Sequence, residues 1–200
     1  MSKRGFREFP RGGTRETNNK GLTEKVALRR HFLRKYHADE AKVLDCCQGT
    51  GQIWKNLRTE FELKSYLGID IKDGLSRVTM DSTRFLTLKF RENVIDVDTY
   101  GEPWKHWLNL LPNVRQPTTV FLTVAAMCSM QMSIDVRLAV FGKDLQMPQS
   151  LFASLWPYAI QSLLWMPTKH GLEVVECLES VNDHATRYLG IHIRPMQKQG

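Results

Sequence analysis

The chain has 200 residues, of which 42% are hydrophobic, 24% charged and 10% aromatic. This length corresponds to about one domain, and the composition is that of an ordinary globular protein. It excludes a disordered chain, a fibrous repeat and a small scaffold held by disulfides. No apolar stretch reaches the roughly 18 residues that a membrane-spanning helix needs, so we expect no membrane partner.

The cysteines and the first residues predict a reduced, cytoplasmic protein. The four cysteines show neither a Cys-x-x-Cys pair nor metal-finger spacing, and two of them, Cys46 and Cys47, are adjacent, which is a poor geometry for a mutual disulfide. The histidines also lack ligand spacing, so we expect no metal centre. Basic residues open the chain, but no apolar segment follows them, and a secretory signal is not predicted.

The positive charge is concentrated at the start of the chain. Residues 1–35 contain 11 Lys and Arg against 3 Glu, whereas residues 36–200 contain 17 Lys and Arg against 18 Asp and Glu. Residues 1–20 lack apolar periodicity, which predicts a flexible basic arm before one domain at 21–200. Such an arm suits a polyanion, most often nucleic acid, although a terminus that only adds solubility has the same composition. The expected phosphate contacts are Arg4, Arg7, Arg11, Arg15, Lys20, Arg29 and Arg30.

Strand-like and helix-like segments alternate along the domain. An amphipathic basic helix is predicted at about 23–36, with Thr23 as its N-cap. Strands are predicted at 42–47, 65–71, 77–80, 93–97 and 118–124, and helices at 53–61, 104–111, 134–141 and 149–165, the last kinked at Pro157. Two strand-like runs at 171–178 and 187–193, joined by the turn-prone residues 180–183, end the chain. This order predicts an α/β fold with a mostly parallel seven-stranded sheet and a C-terminal antiparallel hairpin.

The first predicted strand leads into a glycine turn, Val43-Leu44-Asp45-Cys46-Cys47-Gln48-Gly49-Thr50-Gly51. Ligands of such sheets bind at the carboxyl ends of the strands, and the glycines permit close approach of a ligand to the backbone. The third glycine of a dinucleotide fingerprint and the lysine of a P-loop are both absent. Asp45 would repel a diphosphate, and it suits a cationic ligand such as a sulfonium that carries an ammonium group.

Acids also end the second and third predicted strands. Asp70 can accept hydrogen bonds from both ribose hydroxyls of a nucleoside, and Ile71 can pack on a purine. Asp81 can accept from an exocyclic adenine amine. Either acid alone is more often a helix cap or a solvated loop residue. Three acids at successive strand ends favour a nucleoside site.

These segments resemble the motifs of class I S-adenosylmethionine-dependent methyltransferases. Residues 43–51 are similar to the first motif, 67–70 to the second and 78–81 to the third. The resemblance covers about residues 40–194 and implies a Rossmann-like fold with S-adenosyl-L-methionine as cofactor. It implies that Gly49, Thr50 and Gly51 approach the methionine part, Asp70 the ribose and Asp81 the adenine amine.

The fourth strand ends in Asp96-Val97-Asp98-Thr99-Tyr100-Gly101-Glu102-Pro103. This segment resembles Asp-x-Asp-Pro-Phe-Gly-x-Pro of tRNA guanine-N2 dimethyltransferases and, more distantly, the motif of amino-directed nucleic-acid methyltransferases. An exocyclic amine is a poor nucleophile because its lone pair is delocalised, so a carboxylate that accepts its hydrogens and a ring that stacks on the base assist the reaction. We expect these roles for Asp98 and Tyr100. Thr99 replaces the proline of the family, and a capping pair or a metal site formed by Asp96 and Asp98 stays open.

The resulting hypothesis is an S-adenosylmethionine-dependent methyltransferase that modifies a nitrogen of a nucleic-acid base. RNA, including tRNA, is favoured over DNA because the nearest resemblance is to a tRNA enzyme and a duplex substrate requires base extrusion. Two alternatives stay open: a methyltransferase of a protein or small molecule, and a catalytically degenerate subunit that binds nucleic acid. The sequence makes no prediction about a protein partner or a homodimer.

Overall fold

A seven-stranded sheet organises the residues that the computed structural model describes, which are 21–99, 103–125, 134–142, 157–158, 160–183 and 186–197. The strands are β1 (Lys42–Asp45), β2 (Ser65–Asp70), β3 (Val78–Thr79), β4 (Val94–Val97), β5 (Thr118–Ala125), β6 (Leu172–Asp183) and β7 (Thr186–Pro195). Their order in the sheet is β3-β2-β1-β4-β5-β7-β6. The first five pair in parallel, and β7 pairs antiparallel with both β5 and β6.

Helices connect and cover these strands. The α-helices are α1 (Leu22–Phe32), α2 (Gln52–Leu57), α3 (Ser82–Phe85), α4 (Trp104–Leu110) and α5 (Ile134–Phe141). A π-helical turn at Leu33–His37 continues α1, and shorter 3-10 turns follow at Ala38–Glu40, Leu111–Asn113 and Met166–His170. Residues 160–165 are also helical. Within the described residues, no helix has the length and apolar character to span a bilayer.

The predicted fold class is confirmed, since the five parallel strands and the antiparallel pair at the end of the chain are all present. Two boundaries differ from the prediction. Helix α1 is preceded by Gly21 in the left-handed conformation at φ 69°, so Thr23 is not its N-cap. The predicted turn at 180–183 belongs instead to β6, because register shifts at Val174/Glu176 and Val181/Asp183 let that strand continue to Asp183. Residues 149–156 of the predicted long helix lie outside the described residues.

Two apolar clusters cover the two faces of the sheet. One contains Phe32 of α1 and Trp54 of α2 with Val43 and Val94 of the strands. The other contains Leu44 and Ile95, the next residues of the same strands, with Trp104 and Trp107 of α4. Side chains alternate between the two faces along a strand. Asp96 of β4 therefore shares the face of Val94, and Asp45 of β1 shares the face of Val43. The carboxylates that end these strands therefore lie on the side of α1 and α2.

Candidate functional site

Three carboxylates form a row at the carboxyl ends of β1 and β4. Asp45 and Asp96 are direct neighbours in the parallel pairing of the two strands. Asp98 lies two residues beyond Asp96 and therefore on the same face. Asp45 and Asp96 are buried, whereas the side chain of Asp98 keeps 20% of its surface exposed.

Helix α1 supplies cations to two of these acids. Lys25 Nζ lies 2.7 Å from both carboxylate oxygens of Asp98, and Oδ1 of Asp98 also accepts a hydrogen bond from the hydroxyl of Thr123. Arg29 donates from Nε to Oδ2 of Asp96 at 2.7 Å and from Nη2 to Oδ1. The pKa of Asp98 is lowered: burial alone would raise it, but Lys25 and Arg29 outweigh that effect.

Arg29 is not the surface phosphate contact that the sequence predicts. Its guanidinium is 1% exposed, bonded to Asp96 and placed 4.9 Å from the ring centre of Phe121. Asp96 also accepts from the indole N–H of Trp54 at 2.8 Å. A guanidinium enclosed in this way has no free face for a phosphate, so we correct the role of Arg29 to that of an internal counter-ion.

Asp45 differs from its two neighbours because it has no salt-bridge partner among the described residues. Its Oδ2 accepts a hydrogen bond of 2.7 Å from the hydroxyl of Tyr66, and the guanidinium of Arg58 lies over the ring of Tyr66 at 4.1 Å from its centre. Burial and, next, the neighbouring Asp96 carboxylate raise the pKa of Asp45 to about 8. Asp45 therefore needs a positive neighbour to ionise at neutral pH.

The glycine turn after β1 contacts the acid that ends β2. Gly49 and Gly51 have φ values of 51° and 67°, which L-residues with a side chain rarely adopt. The N–H of Gly49 donates to Oδ2 of Asp70 at 2.9 Å, and the N–H of Lys72 donates to Oδ1 at 2.9 Å. A carboxylate offers about two acceptor positions on each oxygen, so, counting donors from the described part of the chain, one remains on each oxygen of Asp70.

The residues around this turn also present an open apolar surface. Ile71, which follows Asp70, is 60% exposed, and Thr50 between the two glycines is exposed. The side chain of Gln48 crosses over Gly68 and donates to the carbonyl of Leu75 at 2.7 Å; a Cβ on Gly68 would overlap the Gln48 amide. Gln48 thus ties the turn to the loop after β2.

Asp81 caps α3, as one of the two interpretations of this residue predicts. Its Oδ1 accepts from both the backbone N–H and the hydroxyl of Thr83, at 2.9 and 2.6 Å. These bonds leave Oδ2 of Asp81 unused by the cap. The next helix contributes His106, whose Nε2 lies 2.9 Å from the Ser82 hydroxyl and whose pKa burial lowers to about 4, so that the ring is neutral at pH 7.

Two buried polar atoms within the described residues lack a hydrogen-bond partner at the ends of these elements. They are the hydroxyl of Thr99, directly after Asp98, and Nδ1 of His106. Buried polar atoms are normally satisfied, so such atoms beside a strand end are candidates for contacts with a ligand. Sequence reasoning did not single out His106 or the buried hydroxyl of Thr99.

The other predicted site residues are not placed beside the carboxylates of Asp45, Asp96 and Asp98 in the described structure. Arg30 lies on the outer surface of α1, where its Nε donates to Glu60 at 2.8 Å and its side chain is one-third exposed. Tyr100 lies outside the described residues, as do Arg4, Arg7, Arg11, Arg15 and Lys20. No group of three or more His, Cys, Asp or Glu within the described part of the chain could hold a metal ion.

Comparisons with known proteins bear on the fold. No protein-family model and no curated protein sequence matches the chain. Trm1 from Pyrococcus horikoshii, solved with S-adenosyl-L-methionine, is 14% identical with a TM-score of 0.64, over 90% of this chain and 57% of Trm1. TYW2 from M. jannaschii, solved with AdoMet, is 10% identical with a TM-score of 0.59, over 92% of this chain and 80% of TYW2. The putative methyltransferase yhhF from Escherichia coli is 14% identical with a TM-score of 0.53, over 96% and 93%.

At these identities the likeness concerns the fold. The chain spans little more than half of the length of Trm1 but most of the other two proteins. The chain has the Rossmann-like fold of the class I S-adenosylmethionine-dependent methyltransferases, as its sequence motifs predict.

Proposed function

We propose that this protein is an S-adenosylmethionine-dependent methyltransferase that transfers a methyl group to an amino nitrogen of a nucleic-acid base, with RNA as the preferred substrate. One observation carries the proposal. Three carboxylates lie at the carboxyl edge of the sheet: Asp45 directly before the glycine turn, Asp70 in contact with Gly49 of that turn, and Asp98 after the neighbouring strand β4. In this fold, ligands bind at that edge.

The acceptor positions left open by the protein match the parts of the cofactor. The one remaining position on each oxygen of Asp70 suits the two hydroxyls of a ribose. Exposed Ile71 offers an apolar surface to the purine, and Oδ2 of Asp81 suits the adenine amine. Asp45 offers a buried carboxyl without a cation, which fits the positive charge of the methionine part, and Gly49, Thr50 and Gly51 approach that part.

The reaction requires only one proton acceptor from the protein. When bound, the cofactor supplies a methyl group on a cationic sulfur, and the carbon–sulfur bond breaks with its electron pair left on sulfur as the amine lone pair binds the carbon. Asp98 accepts a hydrogen of the target amine and so favours the pyramidal nitrogen. After transfer, the nitrogen carries one proton too many, which passes to Asp98 and then to water. Tyr100 stays our candidate for stacking on the base.

The place where the basic segment joins the domain supports a nucleic-acid substrate. Residues 1–20 contain 6 Lys and Arg against 2 Glu and lead into Gly21. The carbonyl of Gly21 accepts from the N–H of Lys25, the residue that contacts Asp98, and a Cβ on Gly21 would overlap the ring of Tyr188. The basic segment therefore joins the domain one helical turn before Lys25, and we expect Arg4, Arg7, Arg11, Arg15 and Lys20 to hold phosphates.

Methyl transfer from radiolabelled S-adenosylmethionine to total RNA, DNA and protein, followed by nucleoside analysis, tests the proposal. We expect label in RNA, on a base nitrogen. Asp98→Asn should lower the transfer rate by about 100-fold without loss of cofactor binding, since the lost contact acts on the target. Asp39→Asn, at an exposed acid remote from the row, is the matched control. Label in protein alone would support the first alternative, and absence of cofactor binding in calorimetry would contradict the proposal.

The role of the basic segment needs a separate measurement. Removal of residues 1–20 should weaken RNA binding and flatten its dependence on salt, because phosphate contacts release counter-ions. Cofactor affinity, measured by calorimetry on the same protein, should stay unchanged. Equal RNA affinity and salt slope with and without the segment would show that it serves only solubility.

A further inference from the structure

The contact between Lys25 and Asp98 is a partly buried ion pair, with the two side chains 9% and 20% exposed. Lys25 is 7% exposed, its ammonium lies 2.7 Å from each oxygen of Asp98, and it sits 5.1 Å from the ring centre of Tyr188. Removing a long side chain from water and holding it at one place costs entropy and solvation. A pair formed under these conditions fixes the orientation of both groups.

The geometry of α1 and β4 explains why the pair is so well placed. Lys25 and Arg29 are one helical turn apart, about 6 Å along α1. Asp98 and Asp96 are two residues apart, about 6.6 Å along β4. The two spacings match, so each cation meets one carboxylate, and the guanidinium of Arg29 also donates to the carbonyl of Lys25 at 3.0 Å. Lys25 is therefore held at Asp98 by the second pair.

The hydrogen bonds of Asp98 identify the oxygen that stays available. A carboxylate has about four acceptor positions, two on each oxygen. Lys25 takes one on each oxygen, and the hydroxyl of Thr123 takes the second on Oδ1. Among the described residues, one position on Oδ2 remains.

We propose that Lys25 is a positioning residue of the methyl-transfer site, which holds Asp98 as an anion and, together with Thr123, leaves a single acceptor position on Oδ2 for the target amine. This inference rests on the proposed function, because it assumes that Asp98 accepts a hydrogen from the target amine and assigns that role to Oδ2. It also assigns a role to α1, whose residues the sequence resemblance does not include.

The groups that face Asp98 predict how it responds when Lys25 is replaced. They are Lys25 and Arg29 of α1, Thr123 of β5, Asp45 and Cys47 of β1 and the turn after it, and Asp96 of its own strand. Without Lys25, burial and the neighbouring acids favour the protonated form of Asp98, and only Arg29 and the hydrogen bond from Thr123 remain to oppose them among the described residues. A protonated Asp98 donates a hydrogen and no longer offers the amine an ionised acceptor.

The direct test is a titration of Asp98 by carboxyl ¹³C NMR, with its signal assigned by comparison with Asp98→Asn. In the wild type we expect no titration of this signal above pH 5. In Lys25→Met we expect a midpoint at least about one pH unit higher than in the wild type. Lys25→Gln, which keeps a polar side chain, should give the same direction and serves if the methionine variant does not fold. A signal that titrates alike in all three proteins would overturn the inference.

Single-turnover methyl transfer gives the second readout. In Lys25→Met the rate should rise with pH around the midpoint that the titration gives for Asp98, as that carboxyl loses its proton, while the wild-type rate changes little over the same range. Lys25→Arg, which keeps the charge, should retain the wild-type profile, and Lys55→Met at an exposed position of α2 is the control. A uniform loss of rate at every pH would show a merely structural role. If the wild type binds no S-adenosylmethionine, the proposed function fails, and the titration still decides the role of Lys25.

Discussion

Replacement of Arg29 by methionine is the sharpest test of the ionic row. The substitution removes a guanidinium that is 1% exposed and keeps a side chain of similar length, so little cavity is created. It leaves Asp96, itself 1% exposed, with the indole of Trp54 as its remaining donor in the described structure. Removing one partner of a buried ion pair costs about 3–5 kcal/mol, because the other charge stays buried without compensation.

Arg30 provides a matched control on the next residue of the same helix. Its pair with Glu60 is one-third exposed, and pairs of that kind contribute about 0–1 kcal/mol. We therefore expect urea denaturation to show a loss of about 3–5 kcal/mol for Arg29→Met and less than about 1 kcal/mol for Arg30→Met. In a protein of this size the first loss lowers the melting temperature by roughly 6–20 °C.

A double variant separates loss of charge balance from loss of packing. Arg29→Met combined with Asp96→Leu leaves no charge buried and should recover at least half of the lost stability. The reasoning is refuted if Arg29→Met and Arg30→Met are equally stable, or if the double variant is less stable than Arg29→Met alone.

Three further predictions follow from single contacts. The folded state holds the proton of Asp45 up to a pKa of about 8, so the stability gained from that proton is complete below pH 4 and lost as the pH rises through 8. Asp45→Asn should therefore gain stability relative to the wild type between pH 5 and pH 9 in denaturant titrations, and a constant difference would contradict this. Gly190→Ala should cost about 1–3 kcal/mol of unfolding free energy, because its Cβ would overlap the buried ring of Phe32; Phe32→Leu should restore part of it. Asp70→Ala should weaken S-adenosylmethionine binding about tenfold in calorimetry, and an unchanged Kd would remove the ribose assignment.

The mostly parallel sheet and its closing antiparallel pair could be predicted because strand-like and helix-like segments alternate along the chain and two strand-like runs end it. The predicted boundaries of the helices and strands were less accurate. Gly21 rather than Thr23 precedes α1, since a glycine in the left-handed conformation starts that helix without any side-chain cap. The extension of β6 to Asp183 depends on register shifts that have no signature in the sequence.

The cations of the row were missed for a different reason. A helical pattern assigns apolar residues to the core and charged residues to solvent, and Lys25 and Arg29 were treated by that rule. Both are in helical phase with Phe32, which is fully buried, and their spacing of four matches the spacing of two between Asp96 and Asp98. That agreement between the two periods is the signal that could have found them.

The count of charges in the row has a consequence for turnover. Three acids meet two cations, and Asp45 is the acid left over. Under the proposed function, the sulfonium of the methyl donor brings the missing positive charge, and the spent thioether has lost that charge and keeps only the ammonium group. The site would then hold the donor more tightly than the by-product, so the chemical step itself would promote release and clear the protein for another cycle.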